Sequence, residues 1–340
     1  MGDGTEFLPR MFKLIAGFVI FVFLVAIGVT GYWYMGPYRG FTDETFVEVE
    51  HGMSSRSIAN LLASHGVVRS PWAFLAARAF HPRATLQAGE YRFGAEQTPL
   101  QVFEKIRKGD VFFEEVTFPE GSNMFDISAV LKNSDTVKPE DFLKAAADPE
   151  SVRDLDPLAP NLEGFLFPST YRVTHRTTAK QLCRAMTAEF RKQWAAVNGT
   201  GGNADLHRTL TLASLVEKET AVPGERPLVA AVFTNRLQKG IPLQCDPTTV
   251  YAALLENRYR GVIHRSDLAS VNPYNTYTHA GLPPGPIANP GLTAVRAALK
   301  PADVDYLYFV ANPGGQGSHH FSSSLAEHEK AVLAFRQGSH

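Results

Sequence analysis

Two cysteines, Cys183 and Cys245, are all that this 340-residue sequence contains. They lie far apart, with no CxxC pair and no Cys/His spacing suited to zinc. A structural zinc site is therefore excluded. A disulfide between the two thiols stays open, because an oxidising compartment would permit it and spacing alone cannot establish it. An excess of one charge is also missing: Lys and Arg number 33 against 34 Asp and Glu, a net charge of -1, so no basic field points to nucleic acid. No HExxH spacing occurs, and His319, His320 and His328 near the C-terminus read as solvated surface rather than metal ligands. Neither a metal nor a cofactor is expected. What is present is ordinary globular composition, 44% hydrophobic and 20% charged. The length allows an anchor plus roughly two domains of about 100–200 residues each.

One stretch lacks charge altogether. Leu14 to Tyr34 reads LIAGFVIFVFLVAIGVTGYWY, and about 20 apolar residues suffice for a helix to cross the roughly 30 Å of hydrocarbon in a bilayer. A buried core helix is rarely apolar on every face at this length. A cleaved signal has a shorter apolar region of about 7–15 residues ending in small side chains, whereas this one ends in Tyr32, Trp33 and Tyr34. Such aromatics suit the membrane interface. Arg10 and Lys13 precede the span and Arg39 follows it. This modest bias gives a cytoplasmic tail over 1–13, a membrane helix over 14–36, and the rest of the chain on the extracytoplasmic side of the cytoplasmic membrane.

Beyond the span, Thr45–Glu50 alternates like a strand, Ser54-Ser55-Arg56-Ser57 starts a helix, and a second helix follows Ser70-Pro71. Gln87–Phe93 reads as a return strand, and Thr98-Pro99-Leu100 opens another helix. This strand–helix–helix–strand unit over 41–113 resembles a LysM-like module, a fold associated with N-acetylglucosamine polymers; a spacer with no sugar affinity fits the pattern equally. Phe112–Phe118 begins the next strand, and its Glu-Gly turn and helix echo VEHGMSSRSIANLL, a partial internal repeat. No low-complexity linker separates the module from the remainder of the chain, so the boundary near residue 113 is soft.

Leu206 to Thr220 (LHRTLTLASLVEKET) is a helix candidate in which Leu212, Leu215, Val216 and Glu219 fall at i, i+3, i+4 and i+7. Glu217 lies about 200° away around the helix. One carboxylate is thus directed toward packed structure and the other away from it. Burial against apolar neighbours raises a carboxyl pKa and suits a proton donor near neutral pH. Periodicity alone still leaves Glu219 open to being an ordinary helix-end glutamate. Three further segments carry the composition of a sugar-binding wall, with aromatics beside amides, hydroxyls and carboxylates: NLEGFLFPSTY at 161–171, LQCDPTT at 243–249 and PYNTY at 273–277, the last followed by GLPPGPI.

Taken in order, LEGFLFPSTY, ASLVEKET, NRL, LQCDPTTVY, YNTY, GLPPGPIANPG and YLYFVA resemble the endolytic murein transglycosylase family, MltG or YceG-like, over nearly the whole chain. The resemblance implies an α+β protein: a transmembrane helix, the LysM-like α+β module, then a mixed α+β YceG-like catalytic domain over 114–335. It implies Glu219 as the catalytic acid/base, with Glu163, Tyr171, Gln244, Asp246, Tyr274, Asn275 and Tyr277 on the substrate side. Glu163 is expected to order its loop or bind sugar rather than catalyse. Two positions depart from the family pattern: Ser169 stands where an acidic residue is expected, and Cys245 where threonine is more usual.

The implied substrate is the peptidoglycan glycan strand, cut at its MurNAc-GlcNAc bonds. Glu219 would protonate the leaving oxygen and then take the proton of the 6-hydroxyl as a 1,6-anhydro ring closes. Gln244, Tyr274, Asn275 and Tyr277 would hold the acetamido group. The resemblance also implies partnership with peptidoglycan synthases, the enzyme ending nascent strands. Two alternatives belong to other classes: a muramidase using water, with Glu163 or Asp246 as second carboxylate, and a non-catalytic scaffold that binds the wall.

Overall fold

The computed structural model describes residues 7–199, 205–314 and 317–338. The first element, α1, runs from Phe7 to Met35. It begins seven residues before the expected span because Pro9 lies in the first turn, where its missing N–H costs nothing, and Arg10 and Lys13 do not interrupt a helix. Its Phe12–Met35 stretch has a mean hydropathy of 2.7 and is 0% buried. The structure thus makes most of the expected cytoplasmic tail helical, and residues 1–6 of it lie outside the described residues.

The chain divides into two compact units, Met1–Phe113 and Glu114–His340. In the first, β1 (Thr45–Val49), α2 (Ser55–Ser64), α3 (Pro71–Ala79), β2 (Gly89–Phe93) and α4 (Pro99–Lys108) follow α1. Strands β1 and β2 pair antiparallel, with Val47 opposite Tyr91. Alternation turns Val47 and Val49 inward against Ile58, Leu62, Phe74, Phe93, Phe103 and Ile106. Helix starts are set locally: Ser54 accepts from the Ser57 N–H, Ser70 from the Trp72 N–H, and Thr98 and Gln101 form a reciprocal capping box before Pro99.

The second unit opens with the same order. Strand β3 (Glu114–Thr117), α5 (Met124–Leu131), α6 (Pro139–Ala146), β4 (Thr170–Val173) and α7 (Ala179–Asn198) repeat strand, two helices, return strand and helix. The correspondence reaches single residues and goes well beyond the partial repeat legible in the sequence. Gly52 and Gly121 both turn at positive φ, 82° and 77°. Ser54 and Asn123 cap the next helix, Pro71 and Pro139 open the second, and Thr98–Gln101 matches Thr178–Gln181 as a capping box. The Tyr91 hydroxyl donates to the Gln87 carbonyl and the Tyr171 hydroxyl to the Phe167 carbonyl, each four residues back. The copies differ in one connection: between α6 and β4 the second carries a longer segment that contains NLEGFLFPS.

The rest of this unit is α8 (Leu206–Glu219), α9 (Arg226–Gln238), α10 (Asp246–Leu255), α11 (Arg265–Leu268), α12 (Leu292–Leu299), the hairpin β5–β6 (Tyr308–Ala311, His319–Ser322) and α13 (Leu325–Gly338). Helix α8 lies at its centre, packed against α9, α10 and α12. Cys183 and Cys245 are both buried free thiols.

Candidate active site

Helix α8 is capped by Asp205, which accepts from the Arg208 N–H, and ends at Glu219, where Thr220 turns the chain extended. Leu212, Leu215 and Val216 are buried, and Glu219 at the end of their stripe is half-buried. Glu217 departs from expectation. Instead of facing solvent, its side chain is only 5% exposed and pairs with Arg226 at 2.6 Å. Its second oxygen accepts from the Gly291 N–H at 2.9 Å. The opposite side of α8 is covered as well, by α12 and the segment before it, so a helical phase of about 200° leads from one interior surface to another.

Glu219 lines a cavity of about 300 Å³, at the small end of ligand sites. One wall is the loop Leu243–Asp246, the other is β5 with His328 of α13, and Phe233 and Arg236 of α9 lie between. Gln244, Asp246 and Tyr277, three of the expected substrate residues, line this same cavity. Gln244 holds a left-handed backbone, φ 52°, uncommon for a residue with a Cβ. The strain is held by a threonine clamp. The Gln244 N–H donates to the Thr276 carbonyl at 3.2 Å, the Cys245 N–H to the Thr276 hydroxyl at 3.0 Å, and the Thr248 hydroxyl to the Cys245 carbonyl at 2.6 Å. The Gln244 side chain is left exposed beside the carboxyl. The Tyr277 hydroxyl donates to Asp246 Oδ1 at 2.5 Å.

The Glu219 carboxyl titrates above the ordinary carboxylate range. Burial is the main cause and the negative charge of Asp246 adds to it; a hydrogen bond from the Cys245 thiol and the field of His319 pull the other way. A carboxyl raised by burial beside an open cavity can give up a proton and recover it. Among the described residues, no group of three or more His, Cys, Asp or Glu side chains converges to hold a metal ion.

The structure does not bring Glu163, Tyr171, Tyr274 and Asn275 to this cavity. Glu163 is sealed at 0% exposure. Its oxygens accept from the Met124 N–H at 2.9 Å and the Asn289 amide at 2.7 Å. Asn275 donates to the carbonyls of Asp267, Leu268 and Ser270 and accepts from Thr249 and the Tyr277 N–H, so its amide holds the loop that carries Tyr277. Tyr274 is buried against Tyr251, ring centroids 5.1 Å apart. Tyr171 lines a separate groove between β4 and α7. Glu163, Tyr274 and Asn275 are buried away from the cavity, and aromatics and amides that build such buried surroundings have the same composition as a sugar wall.

Burial pushes the Glu163 carboxyl from its ordinary value near 4.5 up to about 8, against the pull of its hydrogen-bond donors. The folded protein therefore keeps a proton that the unfolded chain releases. The stabilising contribution is whole below the unfolded pKa and is lost as pH rises through the folded value. Unfolding free energy is expected to fall by on the order of a few kcal/mol from about pH 5 to about pH 8, since each tenfold difference in proton affinity between the two states is worth about 1.4 kcal/mol. Glu163→Gln, neutral throughout, should flatten that slope in urea titrations. Equal slopes in the two proteins would remove this account of Glu163.

Several functional neighbours were not singled out in the sequence. Asn235 donates to the carbonyls of Val304 and Tyr306, and Arg236 to those of Leu243 and Leu307. The NRL motif therefore ties α9 to YLYFVA and to LQCDPT, both walls of the cavity. Asn289 accepts from the N–H groups of Gly164 and Leu166 and donates to Ser122 and Glu163. Gly164 is required beside it, since a Cβ there would lie 2.6 Å from the Pro286 ring at φ 87°. His319 pairs with Glu225 at 2.8 Å through Nδ1 and again through its own N–H. The Thr220 hydroxyl reaches the same carboxylate at 3.3 Å. Of the three C-terminal histidines, only His320 is solvated surface. His319 is half-buried in this pair and His328 lines the cavity, because α13 packs on the β5–β6 hairpin and β5 packs on α9. The motif order was the available signal for Asn235, Arg236 and Asn289; nothing in the spacing pointed to Glu225 and His319.

With this geometry in place, the relatives of the chain are informative. The profile of the YceG-like family matches residues 47–334. A Bacillus subtilis protein named endolytic murein transglycosylase is 30% identical over 303 residues, covering 84% of this chain and 83% of its own. A Streptococcus pneumoniae protein of the same name is 27% identical over 316 residues; the match takes in 84% of this chain and 57% of that longer one. A crystal structure of a yceG-like protein from Listeria monocytogenes superposes with a TM-score of 0.53 at 31% identity, covering 85% of this chain and 99% of that one. The match spans the carboxyl-lined cavity, the motifs that frame it and most of the first unit, and on that breadth the chain belongs to the YceG-like family.

Proposed function

We propose that the protein is an endolytic peptidoglycan lytic transglycosylase, with Glu219 as its single acid/base. The observation that carries the reading is a half-buried carboxyl of raised pKa at the end of α8, facing a small cavity whose other polar groups are held by the fold. Glu219 protonates the oxygen leaving the MurNAc-GlcNAc bond. The substrate's acetamido group stabilises the sugar cation from within, and the ionised Glu219 takes the 6-hydroxyl proton as the 1,6-anhydro ring closes. In this reading Gln244 holds the acetamido group and Tyr277 with Asp246 holds a sugar hydroxyl, supported by their lining the same cavity as Glu219. The half-buried wall of β5 limits water. The names of the relatives support the same substrate class.

The remaining assignments belong to this reading. Helix α1 anchors the protein in the cytoplasmic membrane with its N-terminus inside and both units outside. The first unit is the LysM-like module, and cutting beside the membrane ends the growth of nascent strands made by peptidoglycan synthases. A hydrolytic muramidase stays as a second reading because Asp246, a second carboxylate, lines the same cavity, whereas Glu163 is shut away from it. Product masses separate the two. Purified glycan strands should yield 1,6-anhydro-MurNAc ends; reducing MurNAc ends carrying one added water would overturn the lytic mechanism in favour of hydrolysis.

A further inference from the structure

Helix α3 is apolar on the side turned away from its own core. Ala73, Phe74 and Ala77 are buried, while Trp72, Ala76, Ala79 and Phe80 are exposed, spaced i, i+4, i+7 and i+8 on one face. Trp72 is 69% exposed and Phe80 77%, the largest apolar exposures among the described residues of the first unit outside α1. A helix apolar all round is normally covered, and a patch of this kind marks an interaction surface.

Two observations say what covers it. The first is continuity with α1. The Arg69 guanidinium lies over the Trp33 ring at 4.2 Å and the Tyr38 ring at 4.6 Å. Trp33 is near the end of the apolar helix, and Trp72 follows Arg69 by three residues, which at the reach of an extended chain places it within roughly 11 Å of Arg69 along the backbone. The second is charge. From His51 to Gly89 there is no Asp or Glu, while Arg56, Arg69, Arg78 and Arg83 all fall in this stretch. Arg83 is exposed just beyond the C-terminal end of this face, whereas Arg78 lies on the other side of the helix, half-buried, and donates to the His81 carbonyl. Tryptophan and arginine around an apolar face are the combination that lies in the headgroup region of an anionic bilayer.

We infer that the Trp72–Phe80 face of α3 docks onto the anionic surface of the same bilayer that α1 crosses, so that the first unit rests on the membrane. This rests on reading α1 as a membrane anchor. The docked face would hold the unit against the lipid surface instead of leaving it to swing on the short segment after Met35.

The test is photo-crosslinking in the full-length chain, reconstituted into vesicles of phosphatidylglycerol and phosphatidylethanolamine. A benzophenone amino acid is placed at Ala76, at Phe80 and at Phe23 within α1. Lipid adducts are expected at all three. Arg83→Gln, which removes one surface charge, should cut the adduct at Phe80 about fivefold. Adducts at Phe23 without any at Ala76 and Phe80 would overturn the docking while leaving the anchor intact. Adducts to protein in place of lipid at Ala76 or Phe80 would overturn it too, assigning the face to a partner or a second copy. Absence of lipid at Phe23 would remove the anchor reading and the docking with it.

Discussion

Glu219→Gln is expected to leave a folded protein that no longer cuts glycan strands, with a rate about 10²–10⁴ times lower, the range assigned to a positioned acid/base. Glutamine keeps the size of the side chain and can accept from Cys245, but it has no proton to give. The fold should not suffer, because the substitution removes a carboxyl that burial and the Asp246 charge both hold out of its ordinary range. Strand digestion read by product mass, alongside thermal unfolding, checks both halves. The wild-type rate should also decline on the alkaline side, as the protonated form of a raised carboxyl is lost. Cleavage at the wild-type rate by the glutamine variant would move the chemistry to another group, and absence of cleavage by either protein would leave the chain a wall-binding scaffold.

Two residues earlier, Glu217→Ala should do the reverse. The Arg226 side chain is 9% exposed; its partner at 2.6 Å would be gone, leaving only the half-exposed Glu120 carboxylate at 3.9 Å. The Gly291 N–H would lose its acceptor too. Removing one member of a buried pair costs about 3–5 kcal/mol, because the other charge stays buried and uncompensated. Urea unfolding at neutral pH measures this directly, and activity per folded molecule should survive where the variant is folded. A loss below about 1 kcal/mol, on the order of an exposed pair, would show that Glu217 and Arg226 are effectively solvated. Carboxylates two positions apart on one helix would then differ in role less than their contacts require.

The contrast shows what sequence could and could not reveal. The elements of the first unit were legible because each carries its own start: Ser54, Ser70 and Thr98 at N-caps, alternation over Thr45–Val49, and an apolar run too long for a core helix. Helix α8 was legible too, and so was the order of motifs that marks the family. Its one wet side was not real. Thr209, Thr211 and Ser214 make it look amphipathic, yet every residue from Thr209 to Val216 is buried. Thr211 and Ser214 return their hydroxyls to the helix's own carbonyls of His207 and Thr211. Once a helix is covered on all sides, phase no longer sorts catalytic from structural side chains.

The wall segments failed for a related reason. Gln244 and Asn275 are equally polar in the sequence, but one amide is left to the cavity and the other is saturated by three carbonyls and two donors. Only the partners separate them: four of the five that saturate Asn275 lie within eight residues, in an irregular loop whose turns no periodicity describes, and the fifth is Thr249. Glu225 and His319 were invisible for a different cause, since 94 positions separate the two halves of one hydrogen-bonded pair.

The twinned strand–helix–helix–strand–helix order has a historical consequence. Matching glycine turns, N-caps, helix-opening prolines and tyrosine-to-carbonyl bonds at equivalent places are what a tandem doubling of one ancestral stretch leaves behind. The copy nearer α1 kept its short connection before the return strand. Its sister has a longer connection at that point, and that segment supplies Glu163 and Gly164 to the hub that Asn289 ties together. On this view the two units share one origin, and the longer connection before β4 marks the place where they diverge.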